Sequence, residues 1–378
     1  MRVTPRPVLR GISRRLFLAS TVKLAAVSSF LVACAPGAAR PEPAPRAPSD
    51  GDLAAPVPGP RPATLQKLDL AFCSQILCGI PLEVARTRGF WEAEGLDVTI
   101  TYARGGAQAV NSLVGGSVDW VATGFDVVVQ TAARGRDAIA IASLSRLPFF
   151  ALAVSPREPS ITSIKDLAGK KIGVGNLGTT DHFLAQYLLT REGVDPASVE
   201  FVASGPNLYE QLNRGQVEAG MVQEPSLTLI ERAGGKVLVN FMRLEDVNRA
   251  VGGPYQFLAL SSRSDVLQAQ ADTARKLVRG LVNANRWVLA SPGPDIVKSM
   301  PEELIAGGDV ETFAAVLDRY KRDLYPSNAL LALDPVQRVI DVQTQSGAIE
   351  PGSVQAERLF TNRYVEQALT SLELAGAA

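Results

Sequence analysis

The chain has 378 residues, and its 38 basic side chains balance 38 acidic ones. This balance excludes the basic surplus that is typical of nucleic-acid-binding proteins, and no run of like charges indicates a charged tail. Beyond its N-terminal segments the chain is long enough for two domains.

The first 33 residues predict an export signal. Arginines precede an apolar stretch that Lys23 interrupts, and this charge argues against a stable membrane span. Residues 13–18 (SRRLFL) resemble the bacterial twin-arginine signal, and residues 31–34 (LVAC) resemble a lipobox. We therefore expect lipidation at Cys34, the alternative being a chance cysteine in an ordinary signal peptide. Residues 34–64 are rich in proline and predict an extended linker between the lipid anchor and a folded domain.

Strands alternate with helices through the rest of the chain, which predicts an α/β fold with mostly parallel sheets. The predicted strands of the first half are 68–72, 98–100, 120–122 and 138–142. Those of the second half are 171–174, 199–202, 219–222 and 236–239. Amphipathic helices follow at 273–289, 310–320 and 336–345.

The two halves share a repeated motif at a nearly constant offset. Residues 94–97 (EGLD) recur as residues 192–195 (EGVD), and residues 113–119 (LVGGSVD) match residues 212–218 (LNRGQVE) at four similar positions. A further match pairs Gly135 with Gly235. One α/β unit used twice predicts two similar lobes with a ligand cleft between them.

Two apolar segments, 149–154 and 257–260, predict the crossings between the lobes. We expect lobe 1 to comprise residues 65–154 and 257–378, the latter including the C-terminal helices, and lobe 2 to comprise residues 155–256. Two strands would then form a hinge that permits closure about a ligand.

Ligands of parallel α/β sheets bind beyond the carboxyl ends of the strands. This rule selects the following candidate ligand-binding residues: Ser74, Gln75, Gly106, Gln108, Thr123, Phe125, Thr179, Thr180, His182 and Glu224. Tyr255 is added because it lies just before the second crossing, at 257–260. No metal site and no catalytic residue is predicted.

The loop before the predicted helix at 182–190 is the most informative of these. Its free N–H groups and helix dipole favour an anionic group, and Thr179 and Thr180 add hydroxyl donors, although one of them is also expected to cap the helix. His182 is the only histidine, which excludes a histidine-based metal cluster; it is either a neutral hydrogen-bond donor or a packing residue. Glu224 either accepts a hydrogen bond from an amino group or stabilises its own helix start.

Several motifs together resemble the periplasmic binding proteins of nitrate/sulfonate/taurine-type ABC importers. They are residues 89–98 (GFWEAEGLDV), 115–119 (GGSVD), 166–174 (DLAGKKIGV) and 224–225 (EP). Residues 179–183 (TTDHF) are similar to a Ser-Thr-x-His-Tyr stretch that lines the ligand site in the taurine branch. Gln223 stands where the family often has Trp, so aromatic stacking is not expected there.

The resemblance implies a two-lobed type II periplasmic binding protein without cofactor or enzymatic activity. It also implies a monomer that partners an ABC permease and lies on the periplasmic or cell-surface side of a membrane. Relatives bind the pyrimidine precursor of thiamine, and the alternative is a pyrimidine-synthesising enzyme of the same fold. Cys73 and Cys78 do not reproduce the cysteine-rich run of those enzymes; whether the two form a disulfide stays open.

The candidate loops also predict the polarity of the ligand. A helix N-terminus with Thr179, Thr180 and His182 would lie on one side, and Glu224 together with Asp126 on another. Carboxylates in a partly dry site repel a bare anion such as nitrate. A taurine-like zwitterion or an aminopyrimidine satisfies both sides, and a simple alkanesulfonate fits less well.

Overall fold

The structure is a computed structural model and describes residues 55–73, 77–305 and 309–376. The predicted export signal, Cys34, the first part of the linker, Ser74 and Gln75 lie outside the described residues. Within these ranges no helix combines the length and the apolar character needed to cross a membrane.

The described residues form ten strands, namely β1 Gln66–Phe72, β2 Leu96–Tyr102, β3 Trp120–Gly124, β4 Ile139–Ser145, β5 Ala151–Val154, β6 Lys171–Val174, β7 Glu200–Ala203, β8 Ala219–Val222, β9 Lys236–Asn240 and β10 Leu258–Ser262. The first eight α-helices are α1 Ile80–Thr87, α2 Phe90–Ala93, α3 Gly106–Val114, α4 Phe125–Ala133, α5 Thr180–Arg191, α6 Leu208–Arg214, α7 Ser226–Arg232 and α8 Leu244–Val251. The other helices of the described part are α9 Ser264–Ala269, α10 Ala271–Ala290, α11 Gly293–Lys298, α12 Glu302–Ile305, α13 Val310–Leu324, α14 Leu333–Gln345 and α15 Arg363–Gly376.

The strands form two five-stranded sheets with the same pattern. Sheet one has the order β2-β1-β3-β10-β4, and sheet two has the order β7-β6-β8-β5-β9. In each sheet the first three strands are parallel, and the fourth pairs antiparallel with both of its neighbours. This confirms the predicted two-lobed α/β fold, but each sheet is mixed because one antiparallel strand runs through it.

The central strands β3, β5, β8 and β10 are buried along their whole length. Helices cover both faces of such strands, so their apolar residues do not alternate with exposed ones, although β3 includes the buried Thr123 and β10 ends in the buried Ser261 and Ser262. The edge strand β2 instead alternates buried and exposed residues at its start. The carboxyl ends of β3 and β8, where two of the candidate loops begin, therefore lie on fully buried strands.

The antiparallel strand of sheet two, β5, corrects one expected lobe boundary. We expected residues 151–154 in lobe 1, but they pair with β8 and β9. A strand belongs to the sheet that satisfies its backbone hydrogen bonds, so lobe 2 begins before residue 155. The crossings are therefore residues 146–150 and 252–257. They lie side by side, because Tyr255 N donates to Arg146 O over 3.2 Å and Phe257 N donates to Ser145 O over 3.1 Å.

The repeated glycines have matching backbone conformations in the two lobes. Gly95 and Gly193 both have φ of 78°, and Gly116 and Gly215 have φ of 74° and 71°. These left-handed values, which glycine adopts at little cost, fit the turns that follow helices. Gly135, with φ of 70°, corresponds to Gly234, with φ of 93°, rather than to Gly235 as we expected.

The C-terminal helices support both lobes. Helix α10 packs against α1, α2 and α15, and α14 packs against α4 of lobe 1 and α5 of lobe 2. A hydrogen bond of 2.7 Å from Gln130 Nε2 to Gln343 Oε1 fixes α14 on α4. In lobe 1, Cys73 and Cys78 are both buried and carry free thiols.

Candidate functional site

The two lobes meet where β3 leads into α4 and where the loop after β6 leads into α5. The hydroxyl of Thr180, the first residue of α5, donates a hydrogen bond of 2.7 Å to Asp126 Oδ2 on α4. This bond joins a helix start in lobe 1 to a helix start in lobe 2. The predicted loops at residues 123–126 and 178–182 are thereby brought together.

Asp126 is buried, with 3% of its surface exposed, and it is the second residue of α4. Its Oδ1 is buried and has no hydrogen-bond partner within the described residues. Burial raises the pKa of Asp126 to about 6, against the lowering effect of the bond from Thr180 and of backbone N–H groups. A Cβ on the neighbouring Gly124 would lie 2.4 Å from Oδ1, so only glycine fits beside this oxygen.

Thr123, at the end of β3, is fully buried, and its hydroxyl also lacks a partner within the described ranges. Gly106 opens helix α3 against it: a Cβ there would lie 2.7 Å from Thr123 Oγ1 and 2.8 Å from Val127 Cγ2. The absence of a side chain at Gly106 therefore lets the start of α3 approach the hydroxyl closely.

Phe125 and Tyr255 connect the end of β3 to the segments that cross between the lobes. Phe125 is fully buried, and its backbone N–H donates to Phe257 O over 2.7 Å. Tyr255 is 1% exposed, and its hydroxyl is a further buried group without a partner in the described structure. Burial first, and then the negative charge of Asp126, raise the pKa of Tyr255. Tyr255 therefore lies within electrostatic reach of Asp126.

The loop before α5 is held by its own hydrogen bonds. Asp181 Oδ2 accepts from Gly175 N and Oδ1 accepts from the hydroxyl of Thr179, each over 2.5 Å. The Thr179 hydroxyl also lies 2.6 Å from Asn176 O. We expected a threonine hydroxyl to cap α5, but this was wrong: Thr179 occupies the cap position without a side-chain capping bond, and Thr180 bonds to Asp126.

The hydrogen bond and the ring contacts of His182 lie within lobe 2. Its Nδ1 accepts a hydrogen bond of 3.1 Å from Gly178 N, and its ring packs edge-on against Phe201 with centroids 4.6 Å apart. Burial lowers the pKa of His182, although the nearby Asp181 opposes this shift. These contacts match the packing interpretation of this residue, with a neutral imidazole at pH 7.

Glu224 supports one of the two interpretations that the sequence left open, the stabilisation of its own helix start. Its Oε2 accepts a hydrogen bond of 3.0 Å from Thr228 N in α7, so it does stabilise its own helix start. Its Oε1 is buried without a partner in the described residues, as is the hydroxyl of Thr228.

The remaining predicted residue, Gln108, has an exposed side chain that accepts a hydrogen bond of 2.7 Å from Arg104 N in its own loop. The structure thus brings together Gly106 with Thr123, and Asp126 with Thr180 and Tyr255. Asp126 is the central residue of this group, although the sequence indicated it only as a companion of Glu224. The sequence signal that points to Asp126 is a carboxylate at the second position of a helix, directly after a strand that ends in Thr-Gly.

The described residues contain no group of three or more His, Cys, Asp or Glu side chains placed to hold a metal ion. The site is instead a set of buried hydroxyl and carboxylate oxygens next to helix starts. Such groups orient a polar organic molecule through hydrogen bonds.

Two mixed sheets of matching order, joined by two adjacent crossings, define the fold of a periplasmic binding protein. The chain belongs to the family described as NMT1/THI5 like, whose family model matches residues 79–294. Over 319 residues it is 23% identical to the binding protein YtlA of Bacillus subtilis. This match covers 82% of this chain and 91% of YtlA.

A further relative is 4-amino-5-hydroxymethyl-2-methylpyrimidine phosphate synthase of Schizosaccharomyces pombe, at 27% identity over 143 residues. This match spans 38% of the chain and 40% of that enzyme. Among solved structures, the alkanesulfonate-binding protein SsuA of Xanthomonas axonopodis pv. citri, bound to MOPS, is similar with a TM-score of 0.60. It is 18% identical and the match covers 79% of this chain and 99% of SsuA, so this likeness shows the fold alone.

Proposed function

We propose that this protein is an extracytoplasmic solute-binding lipoprotein of an ABC importer. It binds a small organic molecule between its lobes and delivers it to the permease. The observation that supports this most is the interlobe edge, where Asp126, Thr123 and Tyr255 have buried polar atoms without partners in the described structure. Such atoms are costly in an empty site, and a ligand that pairs with them recovers that cost.

The ligand is taurine- or sulfonate-like or an aminopyrimidine. SsuA is an alkanesulfonate-binding protein and the fission-yeast enzyme is named for a pyrimidine product, and both support this range. The proposed ligand-binding residues are those selected from the sequence other than Thr179 and His182, with Asp126 added. Thr179 and His182 are retained as residues that shape the loop, because their contacts lie within it.

The lobes close about the ligand. The side-by-side crossings at 146–150 and 252–257 allow rotation of one lobe against the other, and the bond between Thr180 and Asp126 is one that closure would form. The protein acts as a monomer held to the membrane by lipidated Cys34, after export through the signal in residues 1–33.

Replacing Cys34 tests the anchor. Cys34→Ala should move the protein from the membrane fraction to the soluble extracytoplasmic fraction, because multiple acyl chains are what hold a lipoprotein on a bilayer. Cys73→Ala is the matched control and should leave the protein membrane-bound. A Cys34→Ala protein that stays on membranes after a salt wash would contradict the anchor.

The rival function is pyrimidine synthesis, which the name of the yeast relative suggests. A receptor returns its ligand unchanged, whereas an enzyme of that class produces a new pyrimidine. Native mass spectrometry of freshly purified protein should show one bound small molecule. Mass spectrometry of ligand and protein after incubation should then recover both at their original masses; a new pyrimidine product or a covalently altered protein would establish the enzyme instead.

A further inference from the structure

The two oxygens of Asp126 differ in their surroundings. Oδ2 accepts the hydrogen bond from Thr180 of the opposite lobe, while Oδ1 is buried above Gly124 with no partner within the described residues. A carboxylate oxygen can only accept hydrogen bonds while it is ionised. Whatever satisfies Oδ1 must therefore bring a donor.

Within the described residues, no cationic side chain stands among the main influences on the pKa of Asp126. The charged group among them is the carboxylate of Asp181, which has the same sign and raises that pKa. A buried carboxylate without a cation is stabilised strongly by a positively charged or N–H-rich partner. The complement to Oδ1 is thus a nitrogen group of the ligand, either an ammonium or an amino group on a heterocycle.

The neighbouring hydroxyls of Thr123 and Tyr255 extend this arrangement. Each can donate one hydrogen bond and accept another, and each is buried without a partner in the described ranges. Thr123, at the end of β3, lies close to Gly106 at the start of α3, and its hydroxyl can donate to an acceptor group of the same ligand. The site therefore has an acceptor at Asp126 and donors around it.

We infer that Asp126 is the specificity-determining residue of the cleft: its Oδ1 binds a nitrogen group of the ligand while its Oδ2 holds Thr180 of the opposite lobe. One side chain thereby couples recognition of the ligand to closure of the lobes. Ligands that lack an N–H donor leave Oδ1 unsatisfied and bind weakly. The inference rests on the proposed function and assigns the ligand class within it.

Two pairs of probes isolate the nitrogen group: taurine with ethanesulfonate, and 4-aminopyrimidine with pyrimidine. We expect calorimetry on the full chain to show that the amino member of at least one pair binds at least tenfold more tightly than its partner. Asp126→Asn, which keeps the size of the side chain, should reduce this preference to less than threefold. Asp181→Asn, a buried carboxylate whose bonds lie within lobe 2, is the matched control and should keep the preference.

The coupling to closure has its own readout. Thr180→Val and Asp126→Asn should each weaken binding of the preferred amino probe, and the double variant should bind no more weakly than the weaker single one, because both remove parts of one unit. Binding without an amino preference, a preference unchanged in Asp126→Asn, or additive losses would overturn the inference while leaving the proposed function intact. A wild-type protein that binds none of the four probes and carries over no small molecule would overturn both.

Discussion

Asp126 in lobe 1 and Asp181 in lobe 2 occupy the same place in two different helices. Each is the second residue of a helix that follows a sheet strand, each is 3% exposed, and burial raises the pKa of each. Their partners differ. Asp181 has both oxygens bonded within its own loop, whereas Asp126 has one bond to the opposite lobe and one oxygen without a partner in the described structure.

This difference separates a carboxylate that builds a loop from one that is available to a ligand. Asp181 stabilises the turn at residues 175–179 whether or not the lobes are in contact. Asp126 gains its bond only when the lobes meet, and its burial without a full set of partners destabilises the folded chain. Binding sites commonly keep groups that destabilise the empty protein, because the unsatisfied group is the one that recognises the ligand.

The largest expected effect is on the pH dependence of stability. The pKa of Asp126 is about 6 in the folded chain, above its usual 3.8, so the folded state binds the proton more tightly than the unfolded state. Stability is therefore highest below pH 4 for this group and falls as pH rises to 6, by at most about 3 kcal/mol. Asp126→Asn should remove this loss and raise the free energy of unfolding of the empty protein at pH 7.5 by about 1–3 kcal/mol.

Urea denaturation of both proteins at pH 7.5 and pH 4.5 measures this, and the gain should shrink markedly at the lower pH. Asp181→Ala should change the free energy of unfolding in the opposite direction. It leaves the N–H of Gly175 without its acceptor and should lower the free energy of unfolding by about 1–3 kcal/mol. A stabilisation by Asp126→Asn that is equal at both pH values would show that the buried charge is not its cause.

The sequence predicted the fold because its signals are local and repeated. Apolar runs identify the central strands, and the paired glycines at 95 and 193 mark equivalent turns in both lobes. The contact between Asp126 and Thr180 joins residues 54 positions apart, and it depends on how the lobes approach each other. No spacing rule encodes that approach, so the sequence indicated both loops without the bond between them.

The placement of individual residues has a similar origin. His182 matched a family motif, but the distant Phe201 determines where its ring lies. Gln108 lies in the expected loop, yet its side chain bonds to the backbone of that loop and stays exposed. The strand at 151–154 was assigned to the wrong sheet because an apolar segment does not reveal its pairing partners.

A smaller effect is expected when the hydroxyl of Thr180 is removed. Thr180→Val removes the hydroxyl that bonds to Asp126 and should disfavour the closed form by about 1–2 kcal/mol. Small-angle scattering should then show a larger radius of gyration than wild type at the same ligand concentration. Thr179→Val is the matched control, because its hydroxyl bonds within lobe 2 and its loss should leave the radius unchanged. Equal radii for the two variants would contradict an interlobe role for Thr180.

The smallest effect compares equivalent glycines of the repeated unit. Gly116 and Gly215 have nearly the same φ, 74° and 71°, so alanine at either position should cost about 1 kcal/mol for the left-handed conformation alone. Their surroundings differ: a Cβ at Gly116 meets nothing within 4 Å, whereas a Cβ at Gly215 lies 3.1 Å from the Cβ of Arg157. Gly215→Ala should therefore lower the free energy of unfolding more than Gly116→Ala does.

The additional cost belongs to a contact between two side chains, so a double-mutant cycle isolates it. In an Arg157→Gly background the crowding atoms are gone, and Gly215→Ala should then cost as much as Gly116→Ala does in the same background. Urea denaturation of the wild type, the three single variants and the two double variants measures both differences. Equal costs in the wild-type background would mean that Arg157 moves aside freely, and the two turns would then be equivalent in energy as well as in backbone conformation.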